Sequence, residues 1–134
     1  MFEILDMGAS GLQAQRTRMD AIAGNILNVN TTRNAQGEKV PYRRRFVLFA
    51  PGQAHDTSKP GVHVQEIKLD QSAFRKQYQP SHPDADANGY VNLPNIDLSV
   101  EYVNALEASR AYEANITMME VTKAMLNASL RIIA

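Results

Sequence analysis

The chain has 134 residues, with 14 Lys plus Arg against 14 Asp plus Glu, 44% hydrophobic residues and no Cys. That length suits one small domain. The missing thiols exclude disulfide frameworks, Cys-ligated zinc and thiol nucleophiles, and a neutral balance argues against a general nucleic-acid binder, which needs a basic surplus to neutralise phosphates.

The first segment, residues 1–32, reads as an N-terminal helix running from Met1 to about Val29. It contains no Pro and repeats Leu5, Leu12, Met19 and Ile26 seven apart, an amphipathic period. Gly8, Gly11 and Gly24 each cost roughly 1 kcal/mol against Ala inside a helix, so this helix is expected to need a packing partner, which the glycines let approach closely. The Asn25-Ile26-Leu27-Asn28-Val29-Asn30-Thr31-Thr32 stretch is rich in amides that compete for backbone hydrogen bonds, and it predicts termination. The start, Met-Phe-Glu-Ile-Leu-Asp, lacks the basic flank and apolar run of a cleavable signal peptide, so passage out of the cytoplasm is expected to use another route.

Residues 33–94 form a β-rich middle. Turn signals recur at Pro51-Gly52, Lys59-Pro60-Gly61 and Asn88-Gly89, and the runs between them predict strands over 42–50, 62–69 and 73–78. A sheet this small buries little and is expected to lean on the helices. The longest purely apolar stretch of the chain, 46–50, lies here and is far too short to span a bilayer.

Residues 95–134 give the strongest signal, a long C-terminal helix from Asn95 to Ile133 with neither Pro nor Gly and with acids Asp97 and Glu101 at its start. Leu98, Ala105, Tyr112, Met119, Leu126 and Ile133 repeat seven apart and are all apolar, while Ala111, Met118, Met125 and Ile132 broaden the stripe. Such a helix is a rod of about 55 Å at 1.5 Å per residue, whereas a compact globule of this length is only about 36 Å across. It is expected to overhang its own domain and to bury its stripe against the N-terminal helix and neighbouring molecules. The fold class is therefore mainly α with a small β-rich middle, the two terminal helices pairing as a coiled coil.

The charge is uneven along this frame. Residues 16–45 hold seven basic side chains against two acids, and residues 80–122 hold seven acids against one base. Intramolecular pairing or ordinary solvated faces is one reading; contact between copies or homologues, basic part to acidic part, is the second.

No pattern names a reaction. Asp84-Ala85-Asp86-Ala87-Asn88-Gly89 copies the first half of a calcium loop, but position twelve is Asn95 where a bidentate Glu is required, so a self-bonded Asx turn leading into a strand is expected. His82 sits beside these acids between two prolines, and His55 and His63 show no metal-ligand spacing. Phosphate loop, nucleophile elbow and zinc-helix motifs are all missing, and neither cofactor nor metal is expected. Arg43-Arg44-Arg45 alternates across a strand, which suits interface or surface arginines better than a phosphate grip.

Taken together, the motifs resemble the flagellar axial family of rod and hook proteins. The resemblance is carried by the Asn-rich helix end with Asn25, Asn28 and Asn30, by Tyr42-Arg43-Arg44, by Pro80-Ser81-His82-Pro83-Asp84-Ala85-Asp86-Ala87-Asn88-Gly89-Tyr90-Val91, by Pro94-Asn95-Ile96-Asp97, and by Ser109-Arg110-Ala111-Tyr112-Glu113-Ala114-Asn115. It implies a non-enzymatic structural subunit of the proximal rod of the bacterial flagellar basal body, the periplasm-crossing drive shaft that carries torque from motor to hook. By the same resemblance the subunit is secreted by the flagellar type III export apparatus without signal cleavage, and its partners are other rod proteins, basal-body components and copies of itself. The competing reading from the residues is a soluble helical adaptor whose terminal helices form a self-contained pair.

Overall fold

The computed structural model describes residues 2–134, so Met1, the first position of the expected helix, lies outside the described residues. Two long helices bracket two β ribbons in the order α1 (Phe2–Leu27), β1 (Arg45–Pro51), β2 (Val62–Leu69), β3 (Arg75–Tyr78), β4 (Tyr90–Leu93) and α2 (Leu98–Ile133).

Local chemistry sets the helix ends. The Asn28 side-chain amide donates to the Gly24 carbonyl at 2.8 Å, and the Thr31 hydroxyl donates to Asn28 Oδ1 at 3.1 Å, which closes α1 at Leu27 in the amide-rich stretch expected to stop it. α2 starts three residues later than expected. Asp97 is its N-cap, extended at φ −101° and ψ 113°, and its carboxylate accepts from the Ser99 backbone N–H. Asn95 cannot join the helix because its side chain is committed elsewhere: Oδ1 accepts from the Arg44 N–H and Nδ2 donates to the Asp70 carbonyl. With 36 residues, α2 is about 54 Å long.

The helices lie antiparallel. Gly8 faces Met119, Gly11 faces Asn115, Arg18 reaches Glu107 and Asn25 bonds Glu101. Close approach does depend on two of the glycines. A Cβ at Gly8 would sit 2.7 Å from Met119 Cγ, and one at Gly11 would sit 2.9 Å from Asn115 Nδ2. At Gly24 the nearest atom, the Tyr42 hydroxyl oxygen, stays at an ordinary 3.5 Å.

The seven-residue stripes are only part of this contact. Leu5, Leu12, Met19 and Ile26, and opposite them Ala105, Tyr112, Met119 and Leu126, are half-buried; Leu98 and Ile133 are exposed. The buried positions include Gly8, Ile22, Glu101, Ala108 and Thr122, a row three residues further along each helix, together with Gly11, Ala14 and Asn25. Three-and-four spacing places both rows on one side of a helix, and the second row escaped the apolar pattern because Gly, Glu and Thr occupy it.

The middle forms two separate ribbons. β1 pairs antiparallel with β2, Arg45 opposite Leu69 and Pro51 opposite Val62, with a bulge between Leu48 and Phe49. β3 pairs antiparallel with β4, Arg75 opposite Leu93 and Tyr78 opposite Tyr90. The 62–69 strand matches its expected bounds. The strand expected from 42 begins at Arg45, because the Tyr42 and Arg44 N–H groups are spent on the Thr31 carbonyl and on Asn95. The strand expected from 73 begins at Arg75.

α1 is the centre of the molecule, carrying α2 on one side and the β1–β2 ribbon on another. The Val62 N–H donates to Ser10 Oγ, pinning the ribbon to the helix. The buried apolar side chains among the described residues are few: Ala14, Ile22, Val91, Leu93, Pro94, Ile96 and Ala108. Gly11→Leu is expected to force the helices apart at Asn115 and to destabilise the chain by about 1–3 kcal/mol, read as a lower midpoint in urea followed by circular dichroism. An unchanged midpoint would mean that the helix contact at Gly11 is not close in solution.

Candidate assembly interface

Four sequence-distant segments meet at one buried carboxylate. Glu101 and Asn25 are both fully inaccessible to solvent. Asn25 Nδ2 donates to the Arg45 carbonyl at 2.8 Å and to Glu101 Oε2 at 3.3 Å, while Asn25 Oδ1 accepts from the Arg45 N–H at 2.9 Å. Arg44 Nε donates to Glu101 Oε1 at 2.5 Å, and its Nη1 reaches Asp70 Oδ2 at 3.5 Å. Around this centre, Arg43 Nη1 donates to the Asp70 and Ser72 carbonyls and its guanidinium lies 4.2 Å from the Phe74 ring centroid. A buried carboxylate is tolerated only with a cation and further donors on its oxygens, and both are present.

Of the Arg43-Arg44-Arg45 run, Arg45 is a surface residue as expected, whereas Arg43 and Arg44 are half-buried and spend their guanidinium groups within the chain. Arg44 is turned onto Glu101, Arg43 spans to the β2–β3 link, and the Arg45 guanidinium lies 5.5 Å from the Tyr42 ring centroid. The basic and acidic segments pair within the chain through Arg18–Glu107, Arg33–Asp84 and Arg44–Glu101, which bears out the intramolecular reading of the charge pattern.

The 80–91 stretch folds as the expected Asx turn. Asp86 Oδ1 accepts from the Asn88 and Tyr90 N–H groups, both at 2.9 Å, and Gly89 takes φ +85°, the left-handed region where Gly carries no Cβ penalty. Asp84 looks the other way, accepting from the Thr32 hydroxyl at 2.6 Å and pairing with Arg33. His82 Nδ1 accepts from the Asp84 N–H, and Pro83 is exposed. The two carboxylates thus tie the loop to the end of α1 and to its own turn. Of the remaining motif positions, Asn115 packs against Gly11, Tyr112 is half-buried, and Asn30 and Arg110 are exposed.

Sequence reading missed Glu101, Asn95, Asp70 and Thr32 as members of this arrangement. The available signal was at Glu101: a charged residue in phase with the buried row of α2 must either break the seam or be neutralised inside it.

Two surfaces of α2 remain without partners. By the antiparallel register, Phe2 lies level with about Met125, so the tail 125–133 projects beyond α1 by about 14 Å. Met125, Leu130, Ile132 and Ile133 are exposed on it by 61% or more. A second row of three-and-four spacing, Ala111, Ala114, Met118, Val121, Met125, Ala128 and Ile132, is apolar throughout and lies on a face of α2 turned away from Glu101, Ala108 and Thr122. Only Ala111 and Met118 of this row are half-covered. No helix among the described residues is long and apolar enough to cross a membrane.

Comparison with known proteins gives this architecture a class. Residues 5–36 match the family described as flagella basal body rod protein, and residues 87–132 match that of the flagellar basal body rod FlgEFG protein C-terminal region. The two matches cover α1 and α2, so the helix pair is the shared part of a flagellar basal-body rod protein. The relatives are more particular. The chain is similar to the flagellar basal-body rod protein FlgC of Bacillus subtilis (strain 168), with 42% identity covering 98% of this chain and 97% of that one. It is also similar to FlgC of Borreliella burgdorferi, with 39% identity over 99% and 97%, and to FlgC of Salmonella typhimurium, with 38% over 94% and 92%. The chain belongs to the FlgC family of flagellar basal-body rod proteins, and it is a structural subunit of the proximal rod of the flagellum.

Glu101→Leu is expected to strand Arg44 with Asp70 alone and to lower stability by about 3 kcal/mol, measurable by urea denaturation; a neutral result would show that the carboxylate does not hold the junction. Acid has a signed effect. The Thr32 hydroxyl and the Arg33 guanidinium hold the Asp84 carboxyl below its ordinary value, and the Ser72 backbone N–H and hydroxyl, with Arg44, do the same for Asp70. Their stabilisation is complete above the unfolded value of about 3.9 and is lost as pH falls through the lowered folded values. The melting temperature is therefore expected to be flat with respect to these groups from pH 7 to about 5 and to fall below about pH 4, less steeply in Asp84→Asn.

Proposed function

We propose that this chain is a structural, non-enzymatic subunit built into the proximal rod by helix packing, that the rod it builds crosses the periplasm, and that torque passes along it from motor to hook. In this reading the helix pair packs knobs into holes as a coiled coil, with the β ribbons outside it. Other rod proteins, basal-body components and copies of the chain cover its remaining apolar rows, and the chain reaches its place through the flagellar type III export apparatus without losing a signal peptide.

The observation that carries the reading is surface. A compact monomer of 14.9 kDa exposes about 7,000 Å², whereas this chain exposes 9,111 Å². The surplus, about 2,000 Å², is enough for more than one partner contact at roughly 800 Å² each. Much of it is apolar, from the α2 tail to Val100, Val103 and Leu106 near the start of that helix. Exposed rows of this extent mark association sites rather than a finished monomer.

Leu130 separates folding from assembly, because it lies on the tail beyond the reach of α1 and is 61% exposed. Leu130→Glu is expected to leave the melting temperature of the purified chain within about 2 °C, since surface changes rarely exceed ±0.5 kcal/mol. In cells whose own copy has been deleted, the same variant is expected to be missing from isolated basal bodies and to abolish swimming, because assembly would bury an unpaired charge. Normal incorporation would exclude the tail from the interface, and a wild-type chain that does not enter basal bodies at all would sink the rod reading.

A further inference from the structure

We propose that the α2 tail of one copy docks into a groove of the next copy, the one bounded by α1, α2 and the β1–β2 turn. This rests on the rod reading above and names the partner of one of its open surfaces.

The groove holds about 350 Å³ and is lined by Met7, Gly11, Gln15, Pro60, Val62 and Met118. Its walls are mostly thioether and aliphatic groups, which adapt to an incoming apolar helix, with the Asn115 and Gln15 amides among them, and Gly11 leaves its floor low. One fully buried polar atom there has no hydrogen-bond partner, Gln15 Oε1. A buried acceptor left unpaired costs about 1–3 kcal/mol, so the occupant that fits this groove is apolar and brings one donor.

The tail meets both conditions. Met125, Leu126, Leu130, Ile132 and Ile133 make it apolar over most of its circumference, a pattern of helices that end up buried, and Ser129 supplies a hydroxyl donor among them. The lengths agree: Met7 to Gln15 spans about 12 Å of α1, and nine tail residues span about 14 Å. The groove is also continuous with an existing interface, since Met118, one of its walls, already approaches Gly8 within the chain. The tail cannot reach its own groove. Gln15 lies level with about residue 111, so Ser129 is 18 residues, about 27 Å, further along α2. Groove and tail are different surfaces, so the contact is heterologous and head-to-tail, the kind of contact from which a helical assembly is built.

The chain has no Cys, so disulfides report the contact directly. Basal bodies are isolated from cells carrying the full chain with Gln15→Cys and Ser129→Cys, oxidised, and run on a non-reducing gel. A ladder of multiples of the 14.9 kDa chain, absent when Asp20→Cys on the opposite side of α1 replaces Gln15→Cys, is the expected result. An in-chain bridge is out of reach, because Cα atoms must approach within about 7 Å. Normal incorporation without a ladder overturns the docking and leaves the rod reading standing. If the double variant does not incorporate, the purified single variants are mixed at high concentration under oxidation. A Gln15→Cys with Ser129→Cys heterodimer then supports the docking, and cross-linking no greater than with Asp20→Cys overturns it.

Discussion

One buried carboxylate governs how this chain is put together. Glu101 sits without solvent access where the end of α1, the lead into β1, the β2–β3 link and the first turn of α2 converge. Because an isolated carboxylate in such a place is strongly disfavoured, each oxygen recruits a donor, Arg44 on one side and Asn25 on the other. Those two then fix everything attached to them. Asn25 reads the backbone of Arg45 through both its amide atoms, and Arg44 offers its N–H to Asn95, which holds Asp70 and Ser72 in turn. Four stretches far apart in the sequence become one rigid corner, and the helix pair is aimed from that corner.

Away from the corner the packing thins. The buried row between the two helices is mostly glycines and small or polar side chains, flanked by half-buried Leu and Met, and few apolar residues are fully buried. Dispersion and burial scale with contact area, so a contact this lean leaves a large share of the apolar surface for other molecules. The same economy makes the contact close: Gly8 and Gly11 bring the backbones near enough that side chains on the outer faces of α2 stay available.

Much of this was legible in the residues. The two terminal helices, the strand over 62–69, the Asx turn before Tyr90 and the projecting tail all follow from periodicity, turn chemistry and length. What periodicity concealed was the second row of the helix seam, because Gly8, Glu101 and Thr122 do not look apolar although they lie where apolar side chains belong. The bounds of β1 and α2 slipped for a related reason. Tyr42, Arg44 and Asn95 have the local character of a strand and of a helix start, yet tertiary bonds to Thr31, Asp70 and one another claimed their polar groups first. The arginine run misled in the same way, since a strand's alternation says which faces side chains take and not that Glu101 waits on one of them.

The corner also sets the order in which the chain can fold. Asn25 and Glu101 are 76 positions apart, and the entropy of closing so long a loop comes before any contact it makes is gained. The hairpins close over far shorter spans and on a microsecond scale. α1, with three glycines, is a poor helix on its own. The ribbons are therefore expected to pair first and to gain their lasting stability from the helices, and the two ends of the chain, first and last to be synthesised, are expected to condense together as one late and mutually dependent unit.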